Sequence, residues 1–254
     1  MITMYSSKSR IPKEGSFRMK SAYVVSDLHM FCRRSQWHEL LETIHDVAKT
    51  ADLFVFNGDT FDFKWTSLDS VEATVERAIS FLRELSKRCS KCHFHINLGN
   101  HDHAKIFVDA LDKLARKTPN LSWHPYYLRV GSTLFLHGDV AMRKMTHEEL
   151  ERYRERRLYR HKKRGPLRNR VYDELLKTGA HVTVSRLAFP RRRTAKRISA
   201  YLEDIGHSYD DGVKQVYFGH THVPMSNYTY GGMTFHNGGA PFKGMQCVLL
   251  KAKI

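Results

Sequence analysis

The chain has 254 residues and carries 42 Lys or Arg against 26 Asp or Glu, a formal charge of +16. A hydrophobic fraction of 41% is enough for a core and excludes a disordered polyelectrolyte. No apolar run approaches the ~18 residues of a membrane span, and four cysteines without scaffold spacing exclude a disulfide framework.

Residues 1–20 are polar and basic and lack the apolar centre of a secretory signal, so they read as a flexible extension ahead of a domain spanning 21–254. The domain opens with an apolar run, Ala22 to Val25, that ends at Ser26-Asp27-Leu28-His29. Leu40, Leu41, Ile44, Val47 and Ala48 then form one helical face. Leu53 to Phe56 leads into Asn57-Gly58-Asp59, followed by a second helical face of Val71, Val75, Ala78, Ile79, Leu82 and Leu85. Phe94 to Leu98 leads into Gly99-Asn100-His101-Asp102, followed by a third face of Ile106, Phe107, Ala110, Leu111 and Leu114. Leu134 to Leu136 leads into His137-Gly138-Asp139, and Val216 to Phe218 leads into Gly219-His220-Thr221-His222. The β-α alternation predicts a layered α/β fold. Past Val213 the pattern predicts strands at 213–218, 227–230, 233–236 and 246–250, with Gly231-Gly232 as a hairpin turn.

Residues 140–212 interrupt this order. Between 140 and 207 there are 19 Lys or Arg against 8 Asp or Glu, so about a quarter of the chain holds most of the excess charge. Apolar residues recur within the stretch at helical spacing, which predicts three or more helices with breaks at Gly165-Pro166 and Phe189-Pro190. A basic helical insertion suits an anion, since Arg binds phosphate with two parallel hydrogen bonds. The candidates are a phosphate-bearing substrate, an anionic membrane surface or nucleic acid. Arg152, Arg156, Arg157 and Arg192 are candidate substrate-binding residues. Cys32, soon after His29, is a candidate for oxidation. Cys89-x-x-Cys92 has no second pair and reads as ordinary thiols rather than a zinc site.

Each motif alone is weak. A lone Asp-x-His is mostly accidental, and Gly-Asp is common in turns. Five of them at the ends of five apolar runs are a constellation, because catalytic groups of layered α/β folds collect at strand ends. Asp27 and Asp59 offer anionic oxygen, Asn100 a carbonyl oxygen, and His29, His137, His220 and His222 imidazole nitrogen. This mixed set suits Mn, Fe, Zn or Co better than Ca or Mg. Two such ions would clamp the attacking and leaving oxygens of a phosphoryl displacement and acidify a bound water.

The motif series resembles the calcineurin-type metallophosphoesterase superfamily over Ser21 to about Gly239. The resemblance implies a four-layer αββα sandwich and two divalent metal ions, Mn first among them. One metal would take Asp27, His29, Asp59 and His222, the other Asp59, Asn100, His137 and His220, with Asp59 bridging. His101 would contact the phosphoryl group or protonate the leaving oxygen, and Asp102 would orient it. A narrower resemblance rests on Ser26-Asp27-Leu28-His29, the stretch Gly58 to Trp65, Leu136-His137-Gly138-Asp139 and the helical insertion. It points to the UDP-diacylglucosamine pyrophosphohydrolases of lipid A synthesis. That branch implies a lipid-linked nucleotide substrate cleaved to UMP and a lipid monophosphate by a cytoplasmic enzyme peripheral to the inner face of the membrane. Two departures run against it. The branch has Arg where this chain has His101, and His236-Asn237-Gly238-Gly239 is closer to the superfamily's general turn. The alternative is a soluble phosphodiesterase, phosphatase or nuclease. A non-catalytic scaffold would be expected to lose ligands, and here all seven positions are filled.

Overall fold

The computed structural model describes residues 21–159, 163, 165 and 180–254. Ten strands lie among them: β1 Ala22–Val25, β2 Leu53–Asn57, β3 His93–Asn97, β4 Leu121–His124, β5 Tyr127–Val130, β6 Thr133–Leu136, β7 Gln215–Phe218, β8 Met225–Tyr230, β9 Met233–Asn237 and β10 Leu250–Ala252. The α-helices are α1 Leu41–Thr50, α2 Val71–Arg88, α3 Lys105–Lys117, α4 His147–Leu158, α5 Ala180–Ala188 and α6 Arg191–Asp204. The expected extension at 1–20 and the break at Gly165-Pro166 lie outside the described residues. The break at Phe189-Pro190 separates α5 from α6 as expected. Among the described residues no helix is long and apolar enough to cross a membrane.

Two five-stranded sheets form, in the orders β10-β1-β2-β3-β4 and β5-β6-β7-β9-β8. Strands β1 to β4 are parallel, as are β6, β7 and β9. Strand alternation sorts the side chains into three apolar layers. Phe54, Phe56, Phe94 and Ile96 face α1, α2 and α3. Leu53 and Val55 face Phe135 and Tyr217 between the sheets. Leu134, Leu136, Val216 and Phe218 face α4 and α6. The result is the four-layer αββα sandwich.

The helices follow their local chemistry. Ser70 caps α2 by accepting from the Ala73 N–H at 3.1 Å. Thr146 and Glu149 form a reciprocal capping box at the start of α4. On α3, Ile106 is 42% exposed, contrary to its predicted place on the apolar face, and Val108 is buried instead. The last strand also differs from expectation. Residues near Cys247 and Val248 pair only singly with Gly239 and Gly238, and the regular strand begins at Leu250, where the chain crosses to pair with β1. Gly231 and Gly232 turn the β8–β9 hairpin with φ of +55° and +78°, as a two-residue turn of the primed type requires.

Two buried amides fasten the sheets together below the strand ends. Asn57 Nδ2 donates to the carbonyls of Leu136 (2.9 Å) and Tyr217 (3.1 Å). Asn97 Nδ2 donates to Asn57 Oδ1 (2.7 Å) and the Phe135 carbonyl (3.0 Å). Carbonyls at the ends of β6 and β7 thus gain donors, and the loops of both sheets are held in one frame.

The facing surface at β3 and β4 carries stacked histidines instead of aliphatic residues. Ring centroids of His93 and His95 lie 4.7 Å apart, and those of His95 and His124 lie 5.1 Å apart. His95 Nδ1 and His124 Nε2 are in hydrogen-bond contact at 2.8 Å. Burial pushes His124, 6% exposed, down to about 4, and holds His95 well below the ordinary imidazole range. Their neutral forms therefore support the fold above pH 6.5, and that support is lost as the pH falls toward 4, because the unfolded chain takes up the protons first. For His124 alone the expected loss is about 2 kcal/mol between pH 7 and 5. Melting temperatures at the two pH values measure it. The double variant His95→Leu, His124→Leu should flatten the dependence, and an unchanged slope would rule this source out.

Candidate metal centre

Five parallel strands from both sheets, β1, β2, β3, β6 and β7, deliver their C-terminal loops to one place. There the loops clasp one another through the backbone. Asp27 N–H donates to the Gly58 carbonyl (3.0 Å), His29 N–H to the Asp59 carbonyl (2.9 Å) and Gly219 N–H to the His137 carbonyl (2.7 Å). Carboxylates complete the lattice. His220 N–H donates to Asp27 (2.8 Å) and His101 N–H to Asp59 Oδ1 (2.7 Å). Close approach requires glycine at two of these turns. A Cβ on Gly58, whose φ is +85°, would stand 2.5 Å from the His137 ring, and one on Gly99 would strike the Asp59 carboxylate and backbone.

Backbone strain concentrates at the same residues. Seven non-glycine residues have positive φ, and five of them are Asp27, His29, Asp59, His220 and His222. Such conformations cost of order 1–3 kcal/mol each and persist where the surroundings impose them, typically at functional sites.

The side chains converge on three groups whose ligand atoms lie within 4.8 Å of one another: Asp27, His29 and His222; His29, Asp59 and His101; Asp59, His137 and His220. Acceptor nitrogens are aimed at each other, His29 Nε2 at His222 Nε2 (3.3 Å) and His220 Nδ1 at His137 Nε2 (3.2 Å). Asp59 Oδ2 lies 3.4 Å from His137 Nε2 and 3.8 Å from His29 Nε2. Asn100 is 5% exposed, and its Oδ1 is buried with no hydrogen-bond partner. Crowded acceptors plus an orphaned carbonyl oxygen are the donor set of a cation site, and the residues fit a divalent metal centre. Electrostatics agrees. Burial would raise Asp59, yet the neighbouring His137 and His101 hold it well below the ordinary carboxylate range. Burial is outweighed again at His137, which Asp59 raises to about 9. Burial, with His137 beside it, pushes His220 down to about 3, leaving its ring neutral and able to donate an electron pair.

His101 is where the sequence places it, but its orienting carboxylate is different. Asp102 accepts from the backbone N–H groups of Thr60 (2.8 Å) and Gly99 (2.5 Å) and so joins two loops. The residue facing His101 Nδ1 is Asp62, at 3.1 Å. The same Asp62 Oδ2 meets His29 Nδ1 at 3.2 Å, while Oδ1 accepts from the N–H groups of Lys64 (3.1 Å) and Trp65 (2.9 Å). Burial opposes a charged His101, but Asp62 and Asp59 raise it to about 9. Asp102 was the sequence's choice because it is adjacent along the chain. Its side chain is drawn instead to unpaired backbone donors, and Asp62 reaches in from the β2 loop. The signal present was a third acid in Gly58-Asp59-Thr60-Phe61-Asp62.

The insertion arginines divide. Arg152 and Arg156 are exposed on α4, Arg192 is exposed on α6, and half-buried Arg157 lies 4.4 Å from the Tyr153 ring centroid. Arg154, unremarked in the sequence, is 1% exposed and binds Asp139. Beside His222, α5 covers a hollow lined by Val182, Ser185, Arg186, Val223, Pro224 and Met245. It adjoins a larger hollow of about 400 Å³ that Phe189, Pro190 and Arg191 also line. Cys32 is 3% exposed and burial raises it to about 11, so it is a protonated, protected thiol rather than an oxidation-prone one.

Among solved structures, the chain is similar to phosphopantetheinyl hydrolase from Mycobacterium tuberculosis, with 13% identity over 87% of this chain and 90% of that one and a TM-score of 0.39. It is also similar to a dimetal phosphatase from Danio rerio, with 11% identity over 87% and 88% and a TM-score of 0.46. No curated protein matches. The family model of the calcineurin-like phosphoesterases matches residues 21–224, from β1 through the His220–His222 loop, and the chain belongs to that family of phosphoester hydrolases.

Proposed function

We propose that the centre is dinuclear and that its substrate is a lipid-linked nucleotide diphosphate, with UDP-diacylglucosamine cleaved to UMP and a lipid monophosphate as the leading case. Asp27, His29, Asp59 and His222 would hold one ion, and Asp59, Asn100, His137 and His220 the other. Mn is the first candidate, with Fe, Zn and Co sharing the ligand set. Two bound ions supply charge neutralisation for the phosphoryl group and acidify water. The chain's own residues do the rest. Asp62 holds His101 in its cationic form, so that Nε2 can give a proton to the leaving oxygen.

The observation that carries the substrate class is the hollow beside His222. Its walls are apolar at Val182, Phe189, Pro190, Val223 and Pro224, and its rim carries Arg186 and Arg191. That combination suits an amphiphile with phosphate at one end. Leu187 (72%) and Val184 (61%) are exposed on α5, which supports contact with a lipid surface. The alternative, a phosphodiesterase or nuclease acting on soluble nucleotides or nucleic acid, is favoured by His101 in place of the branch's Arg.

UMP release from UDP-diacylglucosamine by metal-stripped protein re-supplied with Mn decides between them, beside an oligonucleotide and bis(p-nitrophenyl) phosphate. The double charge reversal Arg186→Glu, Arg191→Glu should raise the KM for the lipid substrate by about 10-fold or more and spare the small diester. Hydrolysis of the diester or oligonucleotide with no lipid turnover would replace this reading by the alternative.

A further inference from the structure

Arg154 is the only buried arginine or lysine among the described residues. It stands on α4, in the helical connection between β6 and β7. Its Nε and Nη2 donate to the two oxygens of Asp139 at 2.9 and 3.0 Å, and Nη1 donates to the Pro125 carbonyl. The Tyr126 ring centroid lies 5.4 Å from the guanidinium carbon. One side chain thereby ties together α4, the turn between β4 and β5, and the His137-Gly138-Asp139 turn. Gly138 has a φ of +99°, so the turn that separates His137 from Asp139 is tight. His137 is otherwise held from the strand side, through the Leu136 carbonyl bound by Asn57 and its own carbonyl bound by Gly219 N–H.

If α4 only had to be anchored, apolar packing would serve as well, because a buried ion pair is a poor source of stability. What a two-pronged guanidinium–carboxylate contact adds is orientation. We propose that Arg154 is a positioning residue for the metal centre. It fixes Asp139, and through the Gly138 turn fixes His137, so the ion site of Asp59, Asn100, His137 and His220 depends on the helical connection. This inference rests on the dinuclear reading given above.

The test is Mn binding by calorimetry and metal analysis on full-length wild type, Arg154→Met, Arg154→Lys and the double variant Asp139→Asn, Arg154→Met. In Arg154→Met, affinity at one site should fall about 10–100-fold while the other is unchanged. Arg154→Lys keeps the charge without the fork and should recover only part of the loss. The double variant should bind no worse than Arg154→Met, since the two residues act as one unit. At excess Mn, kcat for bis(p-nitrophenyl) phosphate should return, with KM within about twofold of wild type throughout. Wild-type affinity at both sites in Arg154→Met overturns the proposal, whatever happens to its melting temperature. Should Arg154→Met fail to fold, wild-type affinity at both sites in Arg154→Lys overturns it equally. A wild type that binds fewer than two ions overturns the dinuclear reading and this inference together. Two ions in wild type with unaffected variants overturns this inference alone.

Discussion

Asp59→Asn is expected to lower phosphoesterase turnover at least about 10³-fold and to strip most of the bound metal. Asp59 is the one carboxylate that enters both the group with His29 and His101 and the group with His137 and His220. Its Oδ2 faces His137 and His29, while Oδ1 is committed to the His101 N–H. An amide keeps the shape and removes the charge that two cations would share. Losing an ion forfeits several kcal/mol of charge stabilisation, and about 4 kcal/mol is already a thousandfold in rate. Asp27→Asn makes the control, because Asp27 belongs to a single group, with His29 and His222. It should lose one ion rather than two. Metal analysis separates the two variants. Full occupancy in Asp59→Asn, at whatever activity, would refute the bridging role.

The arrangement around Asp59 was largely readable from the chain, for a physical reason. Parallel strands buried on both faces are short apolar runs, and their loops fall at one edge of the sheet, so motif and run together located Asp27, Asp59, Asn100, His137 and His220. Strands β4 and β5 escaped notice because Leu121-Ser122-Trp123-His124 and Tyr127-Leu128-Arg129-Val130 carry polar side chains, and only their pairing with β3 and β6 makes them strands. The two misread polar residues share a cause. Asp102 sits beside His101 in sequence, but short acidic side chains are captured by nearby unpaired backbone donors. Arg154 lies among five arginines between Arg152 and Arg160, and a basic run on a helix reads as one solvated face. At about 100° per residue one member of the run turns inward, and nothing local says which. Contacts between distant loops set the partners of His101 and of Asp139, and a pattern of neighbours does not record them.

Asp62→Asn should separate positioning from metal binding. One oxygen of Asp62 serves His29 at 3.2 Å and His101 at 3.1 Å, so its charge orients a candidate ligand and a candidate proton donor at once. An amide can still accept from the N–H groups of Lys64 and Trp65, which preserves the loop. It removes the anion that, together with Asp59, keeps His101 protonated against burial. Turnover is expected to fall about 10–100-fold, the range for residues that hold a ligand or catalytic group in place. The loss should be larger for an alkyl ester than for a nitrophenyl ester, because only the poor leaving group needs the proton. The pH profile gives the sign. His101 acts as an acid only while protonated, so lowering its proton affinity should move the alkaline limb of kcat to lower pH. His101→Ala should abolish that limb and show the same leaving-group bias. Combining it with Asp62→Asn should add little for the alkyl ester, since both changes remove one proton-donating unit. Equal slowing of both esters with an unmoved alkaline limb would leave Asp62 with a purely structural task and return the proton-donor role to another group.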